Sequence, residues 1–329
     1  MWWLTSFAIG LVALPITCRL FRWLPDQGYA FGRPLGILLF SYIFWVLGMA
    51  NVLLNDRLGV AVSLLLVIAV AAWVAVRNRK ALLRFVASQW RVILITEMVF
   101  IVIFVVWGLV RSYTPTIAHT EQPMDFALLN AILASPQFPP SDPWFSGEPI
   151  SYYYFGYLMH AGLTTLTGIP SSISYNLALM STAAMTATGI MSLVYNLVRS
   201  VRRVGDKRAS AVTALGFGLA AVLLMLFLGN LVGALEFLRV NNVGSVDFYR
   251  WVDIDGLLGG VGSSTWYPSD TWWWWRSTRV INTFTDGVGI DYTITEFPFF
   301  SFLLGDLHPH VMALPFTLLA LAVSCSLFR

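Results

Sequence analysis

Charged side chains are scarce in this sequence: Asp, Glu, Lys and Arg make up 11% of its 329 residues, against about 25% in an ordinary soluble domain. That scarcity excludes a soluble enzyme, and an intrinsically disordered chain with it. Cysteine is nearly absent. Cys18 and Cys325 lie in apolar runs near opposite ends, which argues against a disulfide framework and leaves the redox compartment unread. No internal repeat or low-complexity linker interrupts the chain. A basic segment ahead of the first apolar run is missing too. That run starts at Met1 and ends in Arg19 and Arg22, the pattern of a retained span and not of a cleaved signal peptide.

What is present is apolar: 57% hydrophobic residues, 15% aromatic, and a mean hydropathy of +0.72. The fold class this predicts is an all-α polytopic membrane protein, since a span needs roughly 20 predominantly apolar residues. Trp2–Cys18, Pro34–Leu54, Leu58–Val76, Val92–Val110, Ala209–Gly229 and Val311–Phe328 qualify, and the 50 residues from Pro149 to Val198 contain no charged side chain at all. Basic clusters fix the parity, because cytoplasmic loops hold the Lys/Arg excess. The clusters are Arg19/Arg22/Arg33, Arg77/Arg79/Lys80/Arg84/Arg91 and Arg199/Arg202/Arg203/Lys207/Arg208. Putting all three inside requires two crossings between Arg91 and Arg199. These are Val92–Val110 and Tyr175–Val198, and Tyr152–Gly168 is then a juxtamembrane helix that does not cross.

About seven spans result, with the N-terminus outside and the protein integral to the plasma membrane. Of the 20 basic residues 14 then fall inside, and of the 17 acidic residues 14 fall outside, all but Asp26, Glu97 and Asp206. Residues 1–91 read as an N-terminal three-span bundle. Residues 92–329 read as a second module with external loops 111–174 and 230–310. The chain stops at Arg329 directly after an apolar span, as a piece of a longer polypeptide would. Glu97 is the one ionisable residue deep in a clear span; it must be buried with a partner, the nearest candidates being Arg91 and its neighbours.

In the first external loop, Pro123 is placed to open a short helix over Phe126–Leu133, with Glu121 and Asp125 near its start. A carboxylate there can act as general base toward a hydroxyl, or supply half of a divalent-metal site; it can equally serve to cap the helix. A proline-rich stretch with Asp142 follows, then Tyr152, Tyr153 and Tyr154, then His160. The tyrosines suit an aromatic belt at headgroup level or the floor of a polar-substrate site; a lone His such as His160 is usually a packing residue. The second loop carries four consecutive tryptophans, Trp272–Trp275, followed by Arg276 and Arg279, two arginines able to fork a phosphate. It ends in Gly305-Asp306-Leu307-His308-Pro309-His310, which reads as the turn and first helical position before the last span. A helix start attracts phosphate, and Asp306, His308 and His310 together offer three metal ligands, or simple caps.

Glu121…Pro123-Met124-Asp125, Pro139-Pro140…Asp142-Pro143-Trp144-Phe145, the run Tyr152-Tyr153-Tyr154-Phe155-Gly156 and the Glu296–His310 segment resemble an uncharacterised family of large membrane proteins named for its triple tyrosine. Residues 92–208 also resemble the first external loop and flanking spans of the C-type (GT-C) glycosyltransferases. That resemblance implies an inverting transferase that moves a sugar from a polyprenyl-phosphate donor to a hydroxyl acceptor on the outer face. A loop carboxylate, Glu121 or Asp125, would be the base, with or without a divalent metal. Asp142, Tyr152, Tyr153, Tyr154, His160, Arg276, Arg279, Asp306, His308 and His310 are then the substrate-binding candidates. The expected partners are the lipid bilayer and the lipid-linked sugar, with no nucleic acid. The rival readings are a non-catalytic subunit with partners in a membrane complex and, further off, a transporter, which would need more ionisable residues within its spans.

Overall fold

The computed structural model describes residues 1–201, 209–254, 257, 265–269, 273–285 and 288–328. Arg202, Arg203, Asp206, Lys207 and Arg208 lie outside the described residues, as do Trp272 and Arg329. The chain forms two compact units: Met1–Val222 with Gly305–Arg329, and Leu223–Leu304.

The protein is an all-α polytopic membrane protein. In chain order its helices are α1 (Trp2–Leu20), α2 (Gly32–Met49), α3 (Arg57–Tyr113), α4 (Gln122–Ala134), α5 (Phe155–Thr167), α6 (Ser171–Ser200), α7 (Ala211–Leu226), α8 (Val232–Val240), α9 (Val246–Val252), α10 (Trp273–Arg276), α11 (Pro298–Leu304) and α12 (Pro309–Leu327). Among the described residues five helices are long and apolar enough to cross a membrane: α1, α2 with the turn before it, α3, α6 and α12. Helix α5 has 13 residues, about 20 Å at 1.5 Å per residue, short of a hydrocarbon core of about 30 Å.

Helix α6 is the centre of the first unit and packs against α3, α12, α5, α4 and α1. Its buried face is small and hydroxylated, with Ser181, Thr182, Ala183, Ala184, Thr186, Ala187 and Thr188 all buried. Small residues let helix backbones approach closely where lipid gives no hydrophobic drive to associate. The hydroxyls are satisfied within the helix, as when Thr182 donates to Ala178 O at 2.9 Å and Thr186 to Thr182 O at 2.8 Å. Leu65, Val70, Trp73 and Leu109 of α3 are exposed, as a lipid-facing surface is.

The spans expected at Leu58–Val76 and Val92–Val110, with a loop between them, form one 57-residue helix broken only at Asn78 (φ −116, ψ 17). The connecting residues 77–91 contain neither Gly nor Pro and are rich in Arg, Ala and Leu, so nothing stops the helix. Both ends of α3 lie at the start of α6, Arg57 beside Gly168 and Arg111 bonded to Asn176. The element therefore goes out and returns, as two spans would. Helix α3 runs through residue 91 and packs on both α1 and α6.

Glu97 is paired, but not with its own neighbours. Arg33 of α2 grips it with two bonds of 3.0 and 2.5 Å, and Tyr29 donates a third at 2.9 Å. Helix α2 begins at Gly32, ahead of the apolar run, and this carries Arg33 into the bundle, where its guanidinium lies over the Phe100 ring at 4.0 Å.

The second unit holds α8–α11 and an unanticipated antiparallel hairpin, β1 (Asn282–Thr285) with β2 (Val288–Tyr292). At its centre the fully buried Glu236 bridges Arg239 (3.2 Å) and Arg276 (2.8 Å). Trp274 and Trp275 pack on Phe300, and Trp273 on Phe237.

A buried charge that loses its partner costs about 3–5 kcal/mol, whereas replacing both members by apolar residues restores much of this. Glu97→Leu should therefore lower the thermal-unfolding midpoint more than the double variant Arg33→Leu/Glu97→Leu does, read by scanning fluorimetry of the purified protein. Equal losses would show that the pair is not coupled.

Candidate active site

The two stretches singled out in the sequence, 119–125 and 305–310, meet in the first unit. Helix α4 begins just after Glu121, with Pro123 in its first turn. Glu121 makes no capping bond with its side chain; its Oε2 instead lies 2.7 Å from His308 Nε2. One residue earlier, the Thr120 hydroxyl donates to the Asp306 carboxylate, 3.0 and 2.8 Å from its two oxygens. His308 Nδ1 and His310 Nδ1 are 2.8 Å apart. His308 makes no side-chain cap at the start of α12 either. Capping, the plain alternative for Glu121 and His308, is thus not what these side chains do.

Gly305 makes the approach possible. Its φ of +84 is a left-handed value, and a Cβ there would come within 2.3 Å of the Arg111 guanidinium. Arg111, 3% exposed, donates from Nε to Asn176 Oδ1 at 2.9 Å and stands close enough to Asp306 to feel its charge. Arg111 escaped the sequence reading. The signal for it was its place at the end of an apolar run, away from the three basic clusters.

Asp125 lies one turn into α4 and is fully buried. Tyr157 of α5 donates to its Oδ1, while Oδ2 has no partner. Tyr175 of α6 accepts from Leu307 N at 2.9 Å and so ties the 305–310 turn to the same wall. Burial pushes the Asp125 carboxyl up to about 7; the Tyr157 bond lowers it, and the neighbouring Asp306 and Glu121 charges raise it further. Glu121 contrasts with it, its side chain being 58% exposed.

A cavity of about 570 Å³ adjoins this cluster. Trp45 of α2, Tyr152–Gly156 ahead of and within α5, and Pro309, Met312 and Phe316 of α12 line it. Pro309 sits between the two histidines, so the cavity begins where the polar cluster ends. Tyr152, on the same wall, has its phenol pushed up first by burial and then by Glu121 and Asp125. Tyr154 accepts from Trp45 Nε1 at 2.7 Å, and Tyr153 stacks edge-on against Tyr152. From Pro309 to Phe316 the wall runs about 10 Å along the helix.

Most of the remaining candidates have other partners. Asp142 accepts from Trp144 N and Phe145 N, 2.8 and 2.9 Å, and so organises its own turn. His160 is buried in α5 with Nδ1 unpartnered. In the second unit Arg276 is engaged by Glu236, and Arg279 lies 3.9 Å over the Trp275 ring and donates to Thr278. Asp306, His308 and His310 do not converge on one point: Asp306 faces Thr120, and His308 uses opposite ring nitrogens toward Glu121 and His310. Among the described residues no three His, Cys, Asp or Glu side chains are grouped as metal ligands.

Fold and site together define an integral membrane protein with a carboxylate–histidine cluster beside an apolar cavity. The profile of the uncharacterized membrane protein family DUF2298 matches residues 39–329, and the chain belongs to that family. Comparison with curated proteins and with solved structures finds no match.

The Asp125 carboxyl binds its proton more tightly in the folded protein than in the unfolded chain. Between about pH 4 and pH 7 the folded state therefore holds the extra proton, and this contribution to stability falls as pH rises through that window. Unfolding midpoints measured across this range should drop with rising pH in the wild type and flatten in Asp125→Asn. An unchanged slope would contradict the assignment.

Proposed function

We propose that this protein is an outer-face glycosyltransferase of the C-type kind that transfers a sugar from a polyprenyl-phosphate donor to a hydroxyl acceptor. The observation that supports the reading best is the junction of an apolar cavity with the Glu121–His308–His310 cluster. An amphiphile with a hydrocarbon tail and a charged head fits that junction, whereas a water-soluble substrate leaves the cavity unused. The proposed orientation puts the N-terminus and the cluster outside the plasma membrane, in about seven spans, with α5 on the outer side.

Of the two candidate bases the exposed Glu121 takes the catalytic role. Asp125 is sealed behind Tyr157 and cannot reach an acceptor. In the proposed step the acceptor oxygen attacks the anomeric carbon while Glu121 accepts the hydroxyl proton. The bond from that carbon to the phosphate oxygen breaks, and polyprenyl phosphate leaves with the electron pair. A single displacement with one base inverts the anomeric centre. His308 orients Glu121, and the start of α12 with His310 meets the phosphate as negative charge grows on it. No step runs through a metal.

Losing a positioned general base costs about 10²–10⁴-fold in rate. Glu121→Gln should lower kcat by that factor, measured with a polyprenyl-phosphate sugar in proteoliposomes, while the unfolding midpoint stays near wild type. If the variant keeps full turnover, the base lies elsewhere. If the wild type transfers nothing while folded, the interaction-subunit reading leads.

A further inference from the structure

The end of the first unit remote from Glu121 carries a crevice of about 190 Å³ between α1 and the break in α3. Pro15, Ala75 and Leu82 form its apolar wall, and Arg19, Arg22 and Gln27 its polar rim. The crevice exists because α3 leaves helical geometry at Asn78, whose amide turns back to Val74 O at 2.8 Å. No Asp or Glu occurs in residues 1–25 or 57–96, so Arg19, Arg22, Arg77, Arg79, Lys80 and Arg84 have no acidic neighbour along the chain. The nearest carboxylate in sequence, Asp26, is buried and engaged by Ser192, Asn196 and the Gly28 N–H. Arg19 and Arg22 are exposed, and among the described residues neither pairs with a carboxylate.

Two exposed tryptophans mark the level of this rim. Arg22 lies over the Trp23 ring at 4.6 Å and Arg77 over the Trp73 ring at 4.4 Å. An exposed indole beside an arginine belongs at the boundary between hydrocarbon and headgroups. The crevice therefore opens where lipid phosphates sit, with its apolar wall toward the acyl chains.

We infer that this crevice is a binding site for one anionic phospholipid, its phosphate between Arg19 and Arg22 and the first carbons of a chain against Pro15, Ala75 and Leu82. Charge complementarity selects the occupant: the rim supplies two guanidinium forks, and the nearby carboxylate Asp26 is already engaged by Ser192, Asn196 and the Gly28 N–H. The inference does not depend on the transfer activity proposed above.

The test is native mass spectrometry of the full chain, equilibrated in detergent with equal amounts of phosphatidylglycerol and phosphatidylcholine. The wild type should retain one phosphatidylglycerol preferentially. Arg19→Gln/Arg22→Gln should lose about thirtyfold of that preference, about 2 kcal/mol for two arginines. Arg84→Gln/Arg91→Gln, with the same change in net charge outside the crevice, should keep it. If Arg19→Gln/Arg22→Gln does not fold, Ala81→Trp fills the crevice without altering charge and should also lose the lipid. Equal losses in both arginine pairs, or no preference in the wild type, would overturn the site in favour of diffuse surface charge. Displacement of the lipid by millimolar inorganic phosphate would overturn the lipid assignment.

Discussion

The contact between Thr120 and Asp306, 186 residues apart in the chain, carries the arrangement of the whole site. It closes the 305–310 turn onto the start of α4, and Glu121 meets His308 as a consequence. It also fixes where α12 begins, and so which of its residues face the aromatic wall from Tyr152 to Gly156. The contact is possible only because Gly305 lets the turn pass over Arg111. Near hydrocarbon an unpaired carboxylate is expensive, and Asp306 is 6% exposed. The hydroxyl of Thr120 and the charge of Arg111 offset that cost together.

The same constraint orders the rest of the first unit. Each buried carboxylate there has found a partner on a different element: Asp26 takes Ser192 and Asn196 of α6, Glu97 takes Arg33 of α2, and Asp125 takes Tyr157 of α5. These pairs tie α6, α2 and α5 to loops and helices far away in sequence. Asp125 alone keeps an oxygen without a partner. Burial favours the proton-bound form of that carboxyl, which Tyr157 holds in the wall of the site, while the Glu121 side chain is exposed.

Much of the fold was legible in the sequence, because uncharged runs and clustered basic residues mark spans directly. Pro123 and Pro309 were read as helix starts, and the structure has them there. Tyr152–Gly168 reads as a juxtamembrane helix in the sequence, and the helix there is 13 residues long. What escaped were features decided by packing. Residues 77–91 contain no helix breaker, yet polarity made them read as a loop. Arg33 read as a loop cation, because where helix α2 starts cannot be seen from where the apolar run starts. The partner of Arg276 was equally hidden: Glu236, forty residues earlier, engages it. Arg111 became visible only when Gly305 and Asp306 were found against it.

The account rests on the claim that the aromatic cavity and the Glu121–His308–His310 cluster are two halves of one amphiphile site. The most direct measurement is an experimental structure of the protein in a nanodisc with a non-hydrolysable polyprenyl-phosphate sugar analogue. The account predicts continuous density with the chain between Trp45, Gly156 and Met312, the phosphate at His308 and His310, and the anomeric carbon within reach of Glu121. Lipid density elsewhere on the bundle, with that cavity closed or filled by side chains, would contradict it.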